Sequence, residues 1–292
     1  MKIAIFGKQF NDSFYKKCSL LFEILHGNNV ELFVYEPFAE FLEQIANIDT
    51  KASKVFSSSK SLPDCDLLFS IGGDGTFLDA VTVVGNRNIP IVGINSGRLG
   101  FMADIAMDDL PEAIEEILNK KYKIKELELL TCTSDVEGLG SKNFALNELA
   151  IHKQDSASMI TVHAYVDGEF LNSYWSDGLI ISTPTGSTAY SLSVGGPIMH
   201  PASGSFVITP IAPHNLTVRP LVVSNNSEIT LKVEGRGGNF LASLDSRSKI
   251  FENGATLTVK KADFKISVIE IKGHTFYSTL RNKLMWGVDK RN

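Results

Sequence analysis

Cysteine is scarce. Only Cys18, Cys65 and Cys132 occur in 292 residues, an odd number at wide spacing. They form no CxxC pair and no zinc-ligand spacing. That excludes a disulfide framework and predicts ordinary thiols in a reducing compartment. Long apolar runs are missing too. No stretch of about 18 apolar residues exists, so no transmembrane helix and no membrane partner are expected. The opening run Met1-Lys2-Ile3-Ala4-Ile5-Phe6-Gly7 is too short for a signal-peptide core and reads as a first buried strand. These features predict a cytoplasmic protein. Positive charge is not in excess: 28 Lys and Arg face 33 Asp and Glu, a net charge of -5. Such a chain has no broad basic surface for a phosphodiester backbone, so no nucleic-acid partner is expected. Two phosphate-binding signatures are absent as well, the G-x-x-x-x-G-K-[ST] loop and the G-x-G-x-x-G fingerprint. Any phosphate handling must then rest on backbone amides and metal more than on a dedicated lysine.

What is present is an ordinary globular composition, 43% hydrophobic and 21% charged. Ile3 to Phe6, Val30 to Tyr35, Leu67 to Ile71 and Ile91 to Ile94 are short apolar runs, and helical stretches separate them. Strands buried on both faces read this way, so residues 1–125 predict an α/β domain with an open parallel sheet. A helix is expected over Asp109 to Lys120, capped by Asp108 or Asp109, with Pro111 in its first turn. From 126 the period changes to two. Ile160, Val162, Ala164 and Val166 alternate with polar residues, as do Ile229, Leu231 and Val233. Residues 126–272 therefore predict a mostly antiparallel β domain. Residues 273–292, with a helical stretch from Phe276 to Trp286, are expected to pack back on the first domain.

Four segments carry chemistry. Gly72-Gly73-Asp74-Gly75-Thr76 follows a buried strand and precedes a helix start. Backbone N–H groups in such a turn approach phosphate oxygens closely, and the helix terminus adds partial positive charge. Asp74 is the odd member, because a carboxylate repels phosphate. It can bind a bridging metal or take a proton from an attacking hydroxyl. Alone, the turn is equally a bland one with Asp chosen for turn chemistry. Gly93-Ile94-Asn95-Ser96-Gly97-Arg98-Leu99-Gly100-Phe101 implies a tight path beside a chain segment or a ligand. Asn147-Glu148 interrupts an apolar run, as a strand end would, or as an amide and a carboxylate gripping two sugar hydroxyls would. The fourth segment, Ser176-Asp177-Gly178-Leu179-Ile180-Ile181-Ser182-Thr183-Pro184-Thr185-Gly186-Ser187-Thr188-Ala189-Tyr190-Ser191-Leu192-Ser193, is dense in hydroxyls around one aromatic. Tyr190 is either a base-stacking ring or a core tyrosine.

Taken in order, these motifs resemble the NAD kinase family, over residues 67 to 287. The resemblance implies transfer of the ATP γ-phosphoryl to the 2′-hydroxyl of the adenosine ribose of NAD. Asp74 is then the general base, with Gly72, Gly73, Gly75 and Thr76 around it. Phe101 lies near the adenine. Asn147 and Glu148 contact ribose hydroxyls, and Asp177 the nicotinamide side. Thr188, Ala189, Tyr190, Ser191, Leu192 and Ser193 wall the dinucleotide. Ala212 offers a backbone contact. Asp245, with Arg247 close by, is a late carboxylate that in homo-oligomers of the family lies near a neighbour's site. The resemblance also implies a divalent cation (Mg2+ or Mn2+), NAD and ATP as substrates, and a homo-oligomer, dimer or tetramer. It assigns no protein side chain to the metal.

The sequence departs from the family pattern in two places. Ser246 and Arg247 follow Asp245 where Gly and Gln are frequent, and Ser158 stands before Met159 where Arg or Lys is frequent. Two other functions share these features. One is a small-molecule or lipid kinase with the same Gly-Gly-Asp-Gly-Thr loop. The other is a non-catalytic sensor of NAD or NADP.

Overall fold

The computed structural model describes residues 1–97, 100–103, 105–106, 109–154, 158–273 and 275–285. The chain divides into two compact units, Met1–Glu126 with residues 266–292, and Leu127–Lys265. Both divisions fall inside strands.

In chain order the first unit holds β1 (Lys2–Gly7), α1 (Tyr15–Gly27), β2 (Glu31–Tyr35), α2 (Glu36–Gln44), β3 (Lys54–Phe56), β4 (Leu67–Ile71), α3 (Asp74–Val84), β5 (Ile91–Ile94) and α4 (Leu110–Leu118). β6 (Tyr122–Ser134) leads out of it. The second unit continues with β7 (Phe144–Ala145), β8 (Glu148–Lys153), β9 (Ile160–Val166), β10 (Glu169–Ser176), β11 (Gly178–Ser182), α5 (Tyr190–Ser193), β12 (Ser205–Ile211), β13 (Leu221–Ser224), β14 (Ile229–Gly235), β15 (Asn239–Leu244) and β16 (Arg247–Glu252). β17 (Thr256–Ile271) returns to the first unit, which ends with α6 (Phe276–Leu284).

The first unit is a parallel sheet. β1 pairs with β2 on one side and β4 on the other; β2 then pairs with β3, β4 with β5, and β5 with the end of β17. β4 and β5 are buried along their whole length, as their unbroken apolar runs require. The helices place Leu21, Leu25, Phe38, Leu42, Ile114 and Ile117 against Ile3, Ile5, Phe69 and Val92. The chain leaves β1 toward β2 and leaves β4 toward β5, in opposite directions across the sheet. Such a reversal opens a crevice at the carboxyl ends of the two strands, where ligands of open α/β sheets bind. Gly7 and Ile71 are paired at those ends. Gly72 to Thr76 follow immediately.

The second unit is antiparallel. One layer runs β13-β12-β11-β8-β15-β16. The other joins β10, β9, β14 and the start of β17. Alternate residues meet in one core, with Leu149, Ile151, Leu179, Phe206 and Phe240 against Val162, Ala164, Leu231 and Leu257. β8 lies between β11 and β15, and this fixes the neighbours of its first residues.

The helix expected over Asp109 to Lys120 is shorter, Leu110–Leu118, and Asp109 precedes it without a side-chain capping bond. Asp108 lies outside the described residues, as does Trp286 at the end of the expected terminal helix. The division near the C-terminus falls at residue 265, before the sequence boundary at 272, because β17 runs on unbroken.

Candidate active site

Asp74 opens α3, and Gly73 before it is extended (φ -88°, ψ -172°) without a side-chain cap. The first N–H groups of α3 therefore keep their positive end available. Gly73 and Gly75 are exposed, and no atom lies within 4 Å of where a Cβ would sit on either. Thr76 is buried.

The Asp74 carboxylate is held by a second turn. Its Oδ2 accepts the Phe101 N–H at 2.9 Å; its Oδ1 accepts those of Met102 and Ala103 at 3.1 and 3.2 Å. A carboxylate offers about four lone-pair positions, so Oδ2 keeps one for another donor. Asn95, buried, shapes the turn: its amide donates to the Ala103 carbonyl at 3.3 Å and its Oδ1 accepts the Gly97 N–H at 2.7 Å. Gly100 explains itself here. A Cβ on it would lie 1.8 Å from Asp74 Oδ1, so no other residue lets the turn close over the carboxylate. Arg98 and Leu99 lie outside the described residues. The Lys283 ammonium of α6 sits over the Phe101 ring, 5.7 Å from its centroid.

In the second unit the pairing register brings three distant segments together. Glu148 is opposite Ser182, and Leu149 is opposite Leu244. Asn147 and Glu148 are thus flanked by the Asp245 hairpin and by the turn after Ser182. Asp245 is almost fully buried and accepts the N–H groups of Leu146, Asn147 and Glu148 at 2.9, 2.8 and 3.3 Å. Burial pushes its carboxyl up, while the three N–H groups and Arg247 pull the other way. On the other side Thr183 donates to the Leu146 carbonyl at 2.5 Å and accepts the Gly186 N–H at 3.1 Å. Gly186 crosses so closely that a Cβ would meet the Asn147 carbonyl oxygen at 2.2 Å.

This frame leaves two acceptors unanswered. Asn147 Oδ1 and Glu148 Oε2 are buried without a hydrogen-bond partner. Burial, and then the neighbouring Asp245, push the Glu148 carboxyl up to about 8. Buried polar atoms without partners are costly, and these are the groups a ligand's hydroxyls would satisfy.

Most hydroxyls of the dense segment serve the turn itself. Ser187 donates to the Pro184 carbonyl at 2.6 Å and accepts the Met199 N–H at 2.9 Å. Ser191 is fully buried and pairs with Thr209 at 3.0 Å. We therefore move Ser191 from the expected wall to the support beneath it. Thr188, Ala189, Leu192 and Tyr190 remain half-buried, and Ser193 is exposed. Tyr190 stacks on His152, centroids 5.6 Å apart at 16°. At the end of β10, Asp177 pairs with Lys153 at 2.6 Å and donates its N–H to Ile211, the residue before Ala212. Ala212 is exposed with φ 44°. Arg247 is engaged by the protein itself. Its guanidinium donates to the carbonyls of Lys142 and Phe144 and lies over the Phe144 ring. It ties β7 to the hairpin, a structural place for the residue that breaks the family pattern. Asn95 and Thr183 lie inside the second and fourth segments, where neither has a role of its own in the sequence, and Lys153 lies outside all four. Their signal was weak, since nothing local in the sequence names the distant backbone or carboxylate each one meets.

A phosphate-friendly turn with a held carboxylate at a switch point, together with a β unit bearing unsatisfied hydroxyl acceptors, defines a nucleotide-binding phosphotransferase. Comparison with known proteins agrees. The ATP-NAD kinase N-terminal domain matches residues 3–122 and the ATP-NAD kinase C-terminal domain residues 146–271. The NAD kinase of Flavobacterium psychrophilum is 51% identical over 295 residues and that of Cytophaga hutchinsonii 47% over 292, each covering 100% of both chains. Among solved structures, yeast NADH kinase complexed with NADH has a TM-score of 0.86 at 25% identity, covering 99% of this chain and 89% of its own. An Archaeoglobus fulgidus NAD kinase in complex with ATP has a TM-score of 0.76 at 26% identity, covering 98% and 99%. The chain belongs to the ATP-NAD kinase family.

Proposed function

We propose that this chain phosphorylates NAD at the 2′-hydroxyl of its adenosine ribose, using ATP, with Asp74 as general base. One observation carries the assignment of the base. Asp74 is fixed by three N–H groups yet keeps a lone-pair position on Oδ2 at the mouth of the switch-point turn. A ribose hydroxyl bonded there gives its proton to Oδ2 as its oxygen attacks the γ-phosphorus. The bond from γ-phosphorus to the β-γ bridging oxygen breaks, and ADP departs with that electron pair. Proton acceptance of this kind contributes about 10²–10⁴-fold. Positioning and charge neutralisation supply the rest.

The unpartnered Asn147 Oδ1 and Glu148 Oε2 support a grip on ribose hydroxyls. Tyr190, Thr188 and Ala189 are accessible enough to wall the dinucleotide. A divalent cation, Mg2+ or Mn2+, belongs to the proposal as part of the donor. Among the described residues no group of three or more His, Cys, Asp or Glu is placed to hold a metal. A cation of this kind is commonly carried by substrate phosphates and water with one or two carboxylates. When bound it neutralises charge on the phosphates.

A homo-oligomer, dimer or tetramer, is part of the same reading. β10 and β13 leave Phe170, Trp175, Leu221 and Val222 exposed. A cytoplasmic setting agrees with three free thiols. Burial pushes Cys18 and Cys132 up to about 12, which keeps them inert.

The test is purified protein with NAD, ATP and Mg2+, read by an NADP-specific dehydrogenase. Wild type forms NADP. Asp74→Asn binds NAD and melts normally but loses transfer by at least 10²-fold. Undiminished turnover by that variant removes Asp74 as the base, and binding without turnover in the wild type leaves the sensor reading.

A further inference from the structure

The phosphate turn of this chain, Gly72 to Thr76, has no lysine of its own. Lys8, at the carboxyl end of β1, is already paired with Asp79 of α3. Another cation reaches the same place from the far end of the chain. Lys283 lies in the last turn of α6, a helix fixed at its start by a capping box in which Thr275 accepts the Ser278 N–H at 3.2 Å. The Lys283 ammonium is held over the Phe101 ring, 5.7 Å from its centroid. The Phe101 N–H in turn bonds Asp74 Oδ2 at 2.9 Å. Asp74, Phe101 and Lys283 thus form one cluster. Burial lowers the Lys283 pKa and the Asp74 charge raises it, so the ammonium feels the carboxylate. Among the described residues Lys283 makes no ion pair, and the residue is half-buried, leaving it open to an incoming anion.

We propose that Lys283 is the cation that receives the terminal phosphates of the donor beside Asp74. Any hydroxyl that gives its proton to Asp74 must meet the γ-phosphorus within about 3–3.5 Å, so the donor's most highly charged end arrives next to a carboxylate. That juxtaposition needs a compensating charge, and a lysine acts as a point charge on phosphate without fixed geometry. The ring of Phe101 steadies the ammonium while the site is empty. The chain's C-terminal helix thereby becomes part of the catalytic machinery.

The inference rests on the kinase reading, and the experiment separates the two. Wild type that forms no NADP removes the kinase reading. With a competent wild type, Lys283→Met and Lys283→Arg are assayed with ATP varied at saturating NAD, and the reverse. The Met variant is expected to lose 10–10²-fold in kcat/KM for ATP while KM for NAD stays within twofold, and Arg is expected to restore most of the loss. A folded Met variant with kcat/KM for ATP within threefold of wild type overturns the proposal, and so does an equal rise in both KM values. Should the variants not fold, the wild type decides: Mg-ATP, and not NAD, is expected to shield Lys283 from acetylation read by peptide mass spectrometry. Equal labelling with and without Mg-ATP, or shielding by NAD alone, overturns it.

Discussion

Asp245 and Glu148 hold each other across two antiparallel strands. The Glu148 N–H donates to Asp245 Oδ1 at 3.3 Å, and the Asp245 N–H donates to the Glu148 carbonyl at 3.0 Å. Two carboxylates are thereby placed close together with little water around either. Asp245 is bound by backbone, whereas Glu148 Oε2 is buried without a hydrogen-bond partner.

Asp245→Ala removes the acceptor of three N–H groups. Each stranded donor costs about 1–3 kcal/mol; at the low end for all three, a total loss of about 3 kcal/mol is expected. At roughly 2–4 °C per kcal/mol, melting should fall by about 6–12 °C in calorimetry. KM for NAD should rise at least tenfold, because Asn147 and Glu148 lose their frame. Full retention of NAD affinity would show that the frame is not needed for binding.

Glu148 gives a pH dependence with a definite sign. Its folded carboxyl titrates near 8, above the ordinary carboxylate range, so the native state holds the proton more tightly than the unfolded chain does. The stabilisation is full below the ordinary carboxylate range and is lost as pH rises through it toward about 8. Glu148→Gln should flatten this fall, measured as Tm of the ligand-free protein from pH 5 to pH 8. Parallel Tm curves for variant and wild type would refute the shift.

Gly100→Ala should leave the protein folded but push the Asp74 carboxylate aside, since the new Cβ would fall 1.8 Å from Oδ1. A displacement of about 1 Å at a reacting group costs roughly 10²-fold. We expect kcat to drop by that factor with KM for NAD changed less than threefold.

Thr183→Val keeps the shape of a fully buried side chain but removes its bonds to the Leu146 carbonyl and the Gly186 N–H. The stranded carbonyl and N–H together cost about 2–6 kcal/mol. Urea titration should show the midpoint falling with an unchanged slope, and NAD binding should weaken in parallel.

Arg247→Lys tests the structural place given to Arg247. A single ammonium cannot serve the two carbonyls of Lys142 and Phe144 as a planar fork does. Lower Tm with kcat within twofold of wild type is expected. A larger loss of activity than of stability would return Arg247 to the ligand.

The sequence by itself determined the two kinds of unit. Short unbroken apolar runs at β4 and β5, bounded by turn residues, read as strands covered on both faces, and the alternation in β9 and β14 reads as a sheet with one buried face. It also made the phosphate turn legible, but only together with the later segments, since three glycines around one aspartate at a strand-to-helix step are equally an ordinary turn. Partners far along the chain were not legible, since hydrogen bonds carry no sequence period. Asp74 meets the N–H groups of residues 27 to 29 positions later, and Asp245 those of residues 97 to 99 positions earlier. At φ 52°, Asp245 occupies a hairpin position where turn chemistry accepts Gly, Asn or Asp alike, so the turn alone gives the residue no particular partner. Only the folded neighbours explain its carboxylate. They also move Ser191 beneath the wall, where Thr209 uses its hydroxyl, and bring Lys283 to Phe101. Periodicity reports which face is buried, a local property of strand and helix. Which charge meets which is decided by strand order and register, and those exist only once the chain has folded.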